Sequence, residues 1–438
     1  MHDVPPALIL ISGVLEKSLQ YQRWRSQFLE CAIASYMDAG GIVMLPRRFR
    51  FWLFESLSLK TMRYVHAISR RNATGLVAQV YSMIEEDFFI NGSLISRSKV
   101  PELMAAIWTA GRESILVDDH LDRTTKEAMN AVLSQVNDCP YCGDMLISLV
   151  HASGQHEAAS NIFAESEAQI SNTKLRERLR WVKKIATPGI QPETPVPFTA
   201  DELPEAIASL MAMSDINRFS HVVMDGSPVS APLGLRAIKA AALRVFGGEL
   251  KATHVKPLKP GRALALLPPA PLPADLLWAS PNRRIADALA RWTASVEHEA
   301  SQVVSTEVRD LVGRNLQHWD GTLMPLSRSW VEEEVTDLVG QDRAIARLAL
   351  VLAKAPYQVD ETLVEEVLKQ DKREERFIRI LAWASFSAAR NFAQRIAVSS
   401  GCLFPEFQKR QMVQDTAASR MNGQFVVQTV RGSDSGTP

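Results

Sequence analysis

Apolar residues in this chain recur three and four positions apart and seldom alternate with polar ones, a period that suits helices and disfavours sheets. The segment 100–110 shows it well: Pro101 stands at a helix start, and Leu103, Met104, Ile107 and Trp108 fall on one face. A second helix opens at Leu121-Asp122-Arg123 and runs through Met129, Val132, Leu133 and Val136, with Asp122 or Thr124 as its N-cap. The pattern predicts an all-α fold.

At 438 residues the chain exceeds one ordinary core. Residues 186–197 hold four prolines and read as a linker between two halves, while the proline-rich stretch 257–273 reads as an extended connection. We expect a helical extension over 1–64, a first domain over 65–185, a linker over 186–200, a second half over 201–420 and a disordered tail over 421–438. A weak internal repeat relates the halves: advancing by 248 positions sets Glu127 on Glu375, but Cys139 on Ser387 and Cys142 on Arg390. The second copy therefore lacks both thiols.

The 49 basic residues balance 49 acidic ones, so no charge argument favours a nucleic-acid partner. The run 47–54, with three arginines among aromatic residues, reads as core rings with arginines at the rim, not as a membrane or single-strand contact. No apolar run is long enough to span a membrane, and the apolar stretch 7–15 lacks the flanks of a signal peptide, so a cytoplasmic protein is expected.

Four cysteines are too few for a disulfide scaffold in a chain of this size, and two of them stand three apart. In Asn137-Asp138-Cys139-Pro140-Tyr141-Cys142 a new helix is expected, capped by Asp138 or Asn137, with Pro140 in its first turn. Both thiols then share one face near free N–H groups, which favours a thiolate and a reversible disulfide, although the charge of Asp138 opposes it. A zinc half-site or two inert buried thiols are the alternatives, and no second Cys pair or suitable His cluster supports zinc. Two carboxylates could move protons for a thiol: Glu127, twelve positions before Cys139, and Asp144, two after Cys142. His120 reads as a loop residue before a helix cap more than as a metal ligand, and His221 and His254 have no partner that sequence can show.

The spacing from Glu127 to the Cys139–Cys142 pair, with Leu121-Asp122-Arg123 before it, Ser134-Gln135-Val136-Asn137 leading into it and Gly143-Asp144 after it, resembles the active-site region of the alkylhydroperoxidase D and carboxymuconolactone decarboxylase superfamily. The close likeness covers residues 74–154; the second half, including Ser214-Asp215-Ile216-Asn217-Arg218, resembles a long, two-repeat branch more weakly. The resemblance implies an all-helical, homo-oligomeric protein whose thiols cycle between dithiol and disulfide to reduce a hydroperoxide. It implies no metal, haem or flavin, and a dithiol or lipoyl-type electron donor. By the same resemblance Cys142 is the attacking thiol, Cys139 the resolving thiol and Glu127 the relay acid. The family's relay histidine follows the second cysteine by four residues, where this chain has Leu146. His151 lies about two and a half turns beyond Cys142, on the opposite side of a continuous helix. Other readings are a lactone decarboxylase-like enzyme, or a noncatalytic redox-sensing or scaffold protein whose disulfide locks two helices.

Overall fold

The computed structural model describes residues 55–401, apart from 57, 190–195, 228–235 and 255, all within one compact unit. The arginine and aromatic run, most of the expected N-terminal extension, much of the linker and the expected tail lie outside the described residues. The fold is all-α, as the periodicity predicts: the one β-type pairing among the described residues is an isolated bridge between Met62 and Met224.

The first helices are α1 (Gly75–Asp87), α2 (Gly92–Ile95), α3 (Pro101–Gly111), α4 (Arg123–Val136), α5 (Pro140–Ala152), α6 (His156–Phe163) and α7 (Thr173–Ala186). They are followed by α8 (Glu202–Val223), α9 (Arg236–Leu250), α10 (Arg283–Ser301), α11 (Thr306–Gln317), α12 (Ser329–Glu334), α13 (Gly340–Lys354), α14 (Glu361–Gln370) and α15 (Glu374–Ser399). Local signals set several boundaries. Asp122 caps α4 by accepting a hydrogen bond from the Thr125 N–H at 2.8 Å, and Pro101 occupies the first turn of α3.

At the centre runs α8, in which every residue but His221 is buried. A helix with no polar face belongs inside a protein, and the polar residues on α8 are satisfied there. Asp215 pairs with Arg97 at 2.6 Å, Asn217 bonds Ser134 and Asn137, and Arg218 reaches the carbonyls of Ser214 and Ala353. This helix packs against α3 and α4 on one side and against α15 on the other, so elements before and after the proline-rich stretch share one core. The positions that the internal repeat equates with Glu127, Cys139 and Cys142 all lie on the unbroken helix α15, whereas the originals are divided between α4 and α5.

Beyond α3 the chain widens into a π turn over Arg112–Leu116, fully buried. Arg112 pairs there with Asp87 at 2.7 Å and Glu113 at 2.6 Å. Glu113 in turn accepts from the backbone N–H groups of Gly261 and Ala263, which pins the stretch after α9 against this turn. That stretch is non-helical over most of 257–273, as expected, with one 3-10 turn at Arg262–Leu266.

Candidate thiol site

The thiol pair sits where α4 hands over to α5. The α4 terminus continues through Asn137, and Asp138 takes a left-handed conformation (φ 50°), a turn that aspartate tolerates better than most residues. The N-cap position therefore falls on Cys139, one residue later than expected, with Pro140 at the first helical position. The Cys139 N–H donates to the Ser134 carbonyl at 2.9 Å, and Cys142 lies within the first turn of α5. The Cys139 thiol donates to Cys142 across 2.7 Å, and both residues are buried.

The surroundings drive the two thiols apart. Burial pushes Cys139 well above the ordinary thiol range, and its bond to Cys142 and the nearby Asp138 add to that. Burial acts on Cys142 in the same direction, but hydrogen bonding from Cys139, Asn217, Ser220 and Ser93 outweighs it and holds this thiol below its usual value. Behind them Arg97, fully buried and stacked 3.7 Å over the Phe219 ring, adds a positive charge that favours a Cys142 thiolate. The segment 214–218, noticed in the sequence only for its resemblance, thus contributes Asp215 to hold Arg97 and Asn217 to face the sulfur.

Two spaces flank the pair. Cys142 borders a cavity of about 80 Å³ with apolar walls from Phe88, Phe89, Trp108, Leu116, Met145 and Leu146. Glu127 is the acidic group in that wall. Cys139 borders a wider cleft of about 430 Å³ on the other side, where Asp138, Asp144, Lys183, Arg236 and Lys239 provide charge. Of the four residues singled out in the sequence, the structure thus brings Cys142 and Glu127 to one cavity and Cys139 and Asp144 to the other.

Glu127 is fully buried, and each of its oxygens has a partner. Oε1 accepts from Arg123 Nε at 2.7 Å, one turn earlier on α4, and Oε2 lies 2.8 Å from His254 Nε2. Burial alone would raise its pKa; the Arg123 charge and His254 hold it below the usual carboxylate value. Asp144 is bound to Lys239 at 2.7 Å and to the Ser227 hydroxyl, and burial raises its pKa. Leu146 lines the apolar cavity, while His151 is turned away and meets His156 across 3.1 Å between their Nδ1 atoms.

His254, which had no partner that the sequence could show, finds one in Glu127. It follows the 3-10 turn Lys251–Thr253 that ends α9, and its partner is 127 residues away, so no spacing rule could have found it. Leu146 at the place of the family's histidine was the one available hint. His120 does sit in a loop before a helix cap. Asp119, His120 and Glu205 bring potential ligand atoms within 4.8 Å of one another. Glu205 already accepts from the N–H groups of His120 and Leu121, and Asp119 pairs with Arg284, which makes the cluster a tie between this loop and α8.

An all-helical fold carrying a buried thiol pair at a helix start, with a glutamate on the cavity of the second thiol, is consistent with the resemblance to the alkylhydroperoxidase D-like superfamily. In sequence the chain is similar to alkyl hydroperoxide reductase Rv2159c of Mycobacterium tuberculosis, 29% identical over 344 residues that cover 78% of this chain and 97% of that protein. This likeness supports the superfamily read from residues 74–154. No family model and no solved structure matches. No helix among the described residues is long and apolar enough to cross a membrane.

Proposed function

We propose that this chain is a thiol-dependent hydroperoxide reductase, with Cys142 as the attacking thiol, Cys139 as the resolving thiol and Glu127 as the proton-handling acid. The observation that carries the reading is the asymmetry of the pair. Cys142 is held towards the thiolate on an apolar cavity that it shares with Glu127, and a protonated Cys139 waits 2.7 Å away.

In the reaction, the Cys142 thiolate attacks the outer oxygen of the hydroperoxide, the O–O bond breaks, and the departing alkoxide takes a proton from Glu127 to leave as an alcohol. Cys139 then attacks the resulting sulfenic sulfur. Its thiol proton leaves with the hydroxide as water, and a disulfide remains. Two thiols and one hydroperoxide become a disulfide, an alcohol and water. An external dithiol or lipoyl-type carrier restores the thiols by exchange, and the charged cleft on the Cys139 side, with Asp144 and Lys239, is our assignment for its approach. The chemistry calls on no metal, haem or flavin. We further read the chain as a cytoplasmic homo-oligomer whose second half, with Ser387 and Arg390 where the repeat would set the thiols, serves as scaffold for the first.

The test is turnover of an organic hydroperoxide with dihydrolipoamide as reductant. Cys142→Ser and Cys139→Ser should each abolish turnover. A burial this complete also suits a disulfide that merely stiffens the start of α5; a disulfide that forms once with peroxide but never supports turnover would favour that second reading.

A further inference from the structure

We propose that His254 supplies the imidazole that Leu146 cannot, acting through Glu127 as a positioning and proton-conducting residue. This deepens the reading of the chain as a hydroperoxide reductase and rests on it.

Cys142 and Glu127 are both buried, and the cavity between them has apolar walls, so protons do not reach the reacting sulfur freely through water. Yet the reaction displaces one proton from Cys142 and later returns one to the departing alkoxide. Glu127 can hold that proton only if it has somewhere to send it. Its Oε1 faces Arg123, a group that stays protonated and cannot relay. Among the described residues the one other partner is His254, whose Nε2 lies 2.8 Å from Oε2 and whose side chain is 11% exposed where that of Glu127 is 0%. A carboxylate facing the cavity and an imidazole facing outward form a two-step path between sulfur and solvent.

The surrounding bonds hold this geometry. Arg123 spans the contact, donating to Glu127 through Nε and to the Thr253 carbonyl through Nη1 at 2.7 Å. The Thr253 hydroxyl donates to the Leu250 carbonyl at 2.8 Å and lies 3.1 Å from His254 Nδ1, which orients the ring. Further along, Glu113 fastens Gly261 and Ala263 to the buried turn after α3. The relay is thus assembled from two distant stretches: α4 contributes the acid, and the end of α9 contributes the base.

The proton balance follows. Cys142 gives its proton to Glu127, which passes it to His254 Nε2. After the O–O bond breaks, the same proton returns from the imidazolium through Glu127 to the alkoxide. Cys139 provides its own proton for the water, so the relay ends as it began.

The experiment compares full-length wild type, His254→Ala, His254→Gln and the double variant His254→Ala/Leu146→His, with cumene hydroperoxide and dihydrolipoamide as probes. General acid–base help is worth about 10²–10⁴-fold, and both single variants should lose kcat on that scale while KM changes little. Glutamine keeps an N–H for Glu127 but cannot carry a proton, so its loss separates relay from simple orientation. Added imidazole should raise the rate of His254→Ala, and restoring an imidazole at position 146 should do so without it. Wild-type rates in His254→Gln, or no response of His254→Ala to either imidazole, would overturn the proposal while leaving the reductase reading intact. A wild type that reduces no hydroperoxide at all would overturn both.

Discussion

Cys139 and Cys142 share a single hydrogen bond of 2.7 Å, yet their surroundings drive them in opposite directions, the first towards the thiol and the second towards the thiolate. One helix start accomplishes this because the pair straddles it. Cys139, at the cap position, has burial and the Asp138 charge against ionisation; Cys142, inside the first turn, faces donors from Ser93 and from α8.

Mild oxidation should therefore couple the two thiols within one chain. A disulfide needs the sulfurs at about 2.05 Å, a small movement from their present separation. Peptide mass spectrometry after a peroxide pulse reads the outcome directly, and thiols that both stay free would remove the basis of the redox reading.

Cys142 should be the faster thiol towards alkylation near neutral pH. Its pKa lies below the usual thiol value, so its thiolate persists as pH falls, whereas Cys139 requires more alkaline conditions. Labelling rates against pH in Cys139→Ser and Cys142→Ser proteins would show this. A lower apparent pKa in the protein that retains Cys139 alone would reverse the assignment.

Acid stability should depend on Glu202. Burial would raise its pKa, but the Thr199 N–H, Arg178 at 2.6 Å and Lys174 overcome that and lower it from 4.5 to about 2. A depressed carboxylate contributes stability that is complete above its unfolded pKa and is lost as pH falls through the folded one. Glu202→Gln should lower Tm at neutral pH and flatten its decline between about pH 4.5 and 2. Equal slopes for both proteins in thermal melts across that window would contradict the assignment.

Gly247 should resist any side chain. A Cβ there would stand 2.6 Å from the Ser148 carbonyl oxygen and 2.7 Å from the His151 Cβ, so α9 could not remain seated on α5. Gly247→Ala is expected to cost about 1–3 kcal/mol in urea unfolding, as overpacked cores do. It should also depress turnover, because α9 carries the turn that presents His254. A neutral effect on both would mean the two helices can slide apart cheaply.

Much of this molecule was legible in the sequence for a reason of range. The helical class, Asp122 as a cap, Pro101 as a first residue and the thiol pair at a helix start all depend on neighbours within about one turn, where spacing and residue chemistry decide the outcome. Even there the cap fell on Cys139 instead of Asp138, because the chain used the left-handed tolerance of aspartate for the turn before its capping ability. What tertiary structure alone decided is which distant groups meet. Spacing set Glu127 twelve positions before the pair and Asp144 two after it without choosing between them; packing placed Glu127 on the cavity of Cys142 and Asp144 on the cleft of Cys139. Asn217, Arg97 and His254 carry no local mark of their roles. A buried place on α8 gives Asn217 its role, and the pairing with Asp215 of that helix gives Arg97 its own; the third follows from a chain that leaves α9 and is fastened by Glu113 across the buried turn after α3, contacts that depend on the whole core closing at once.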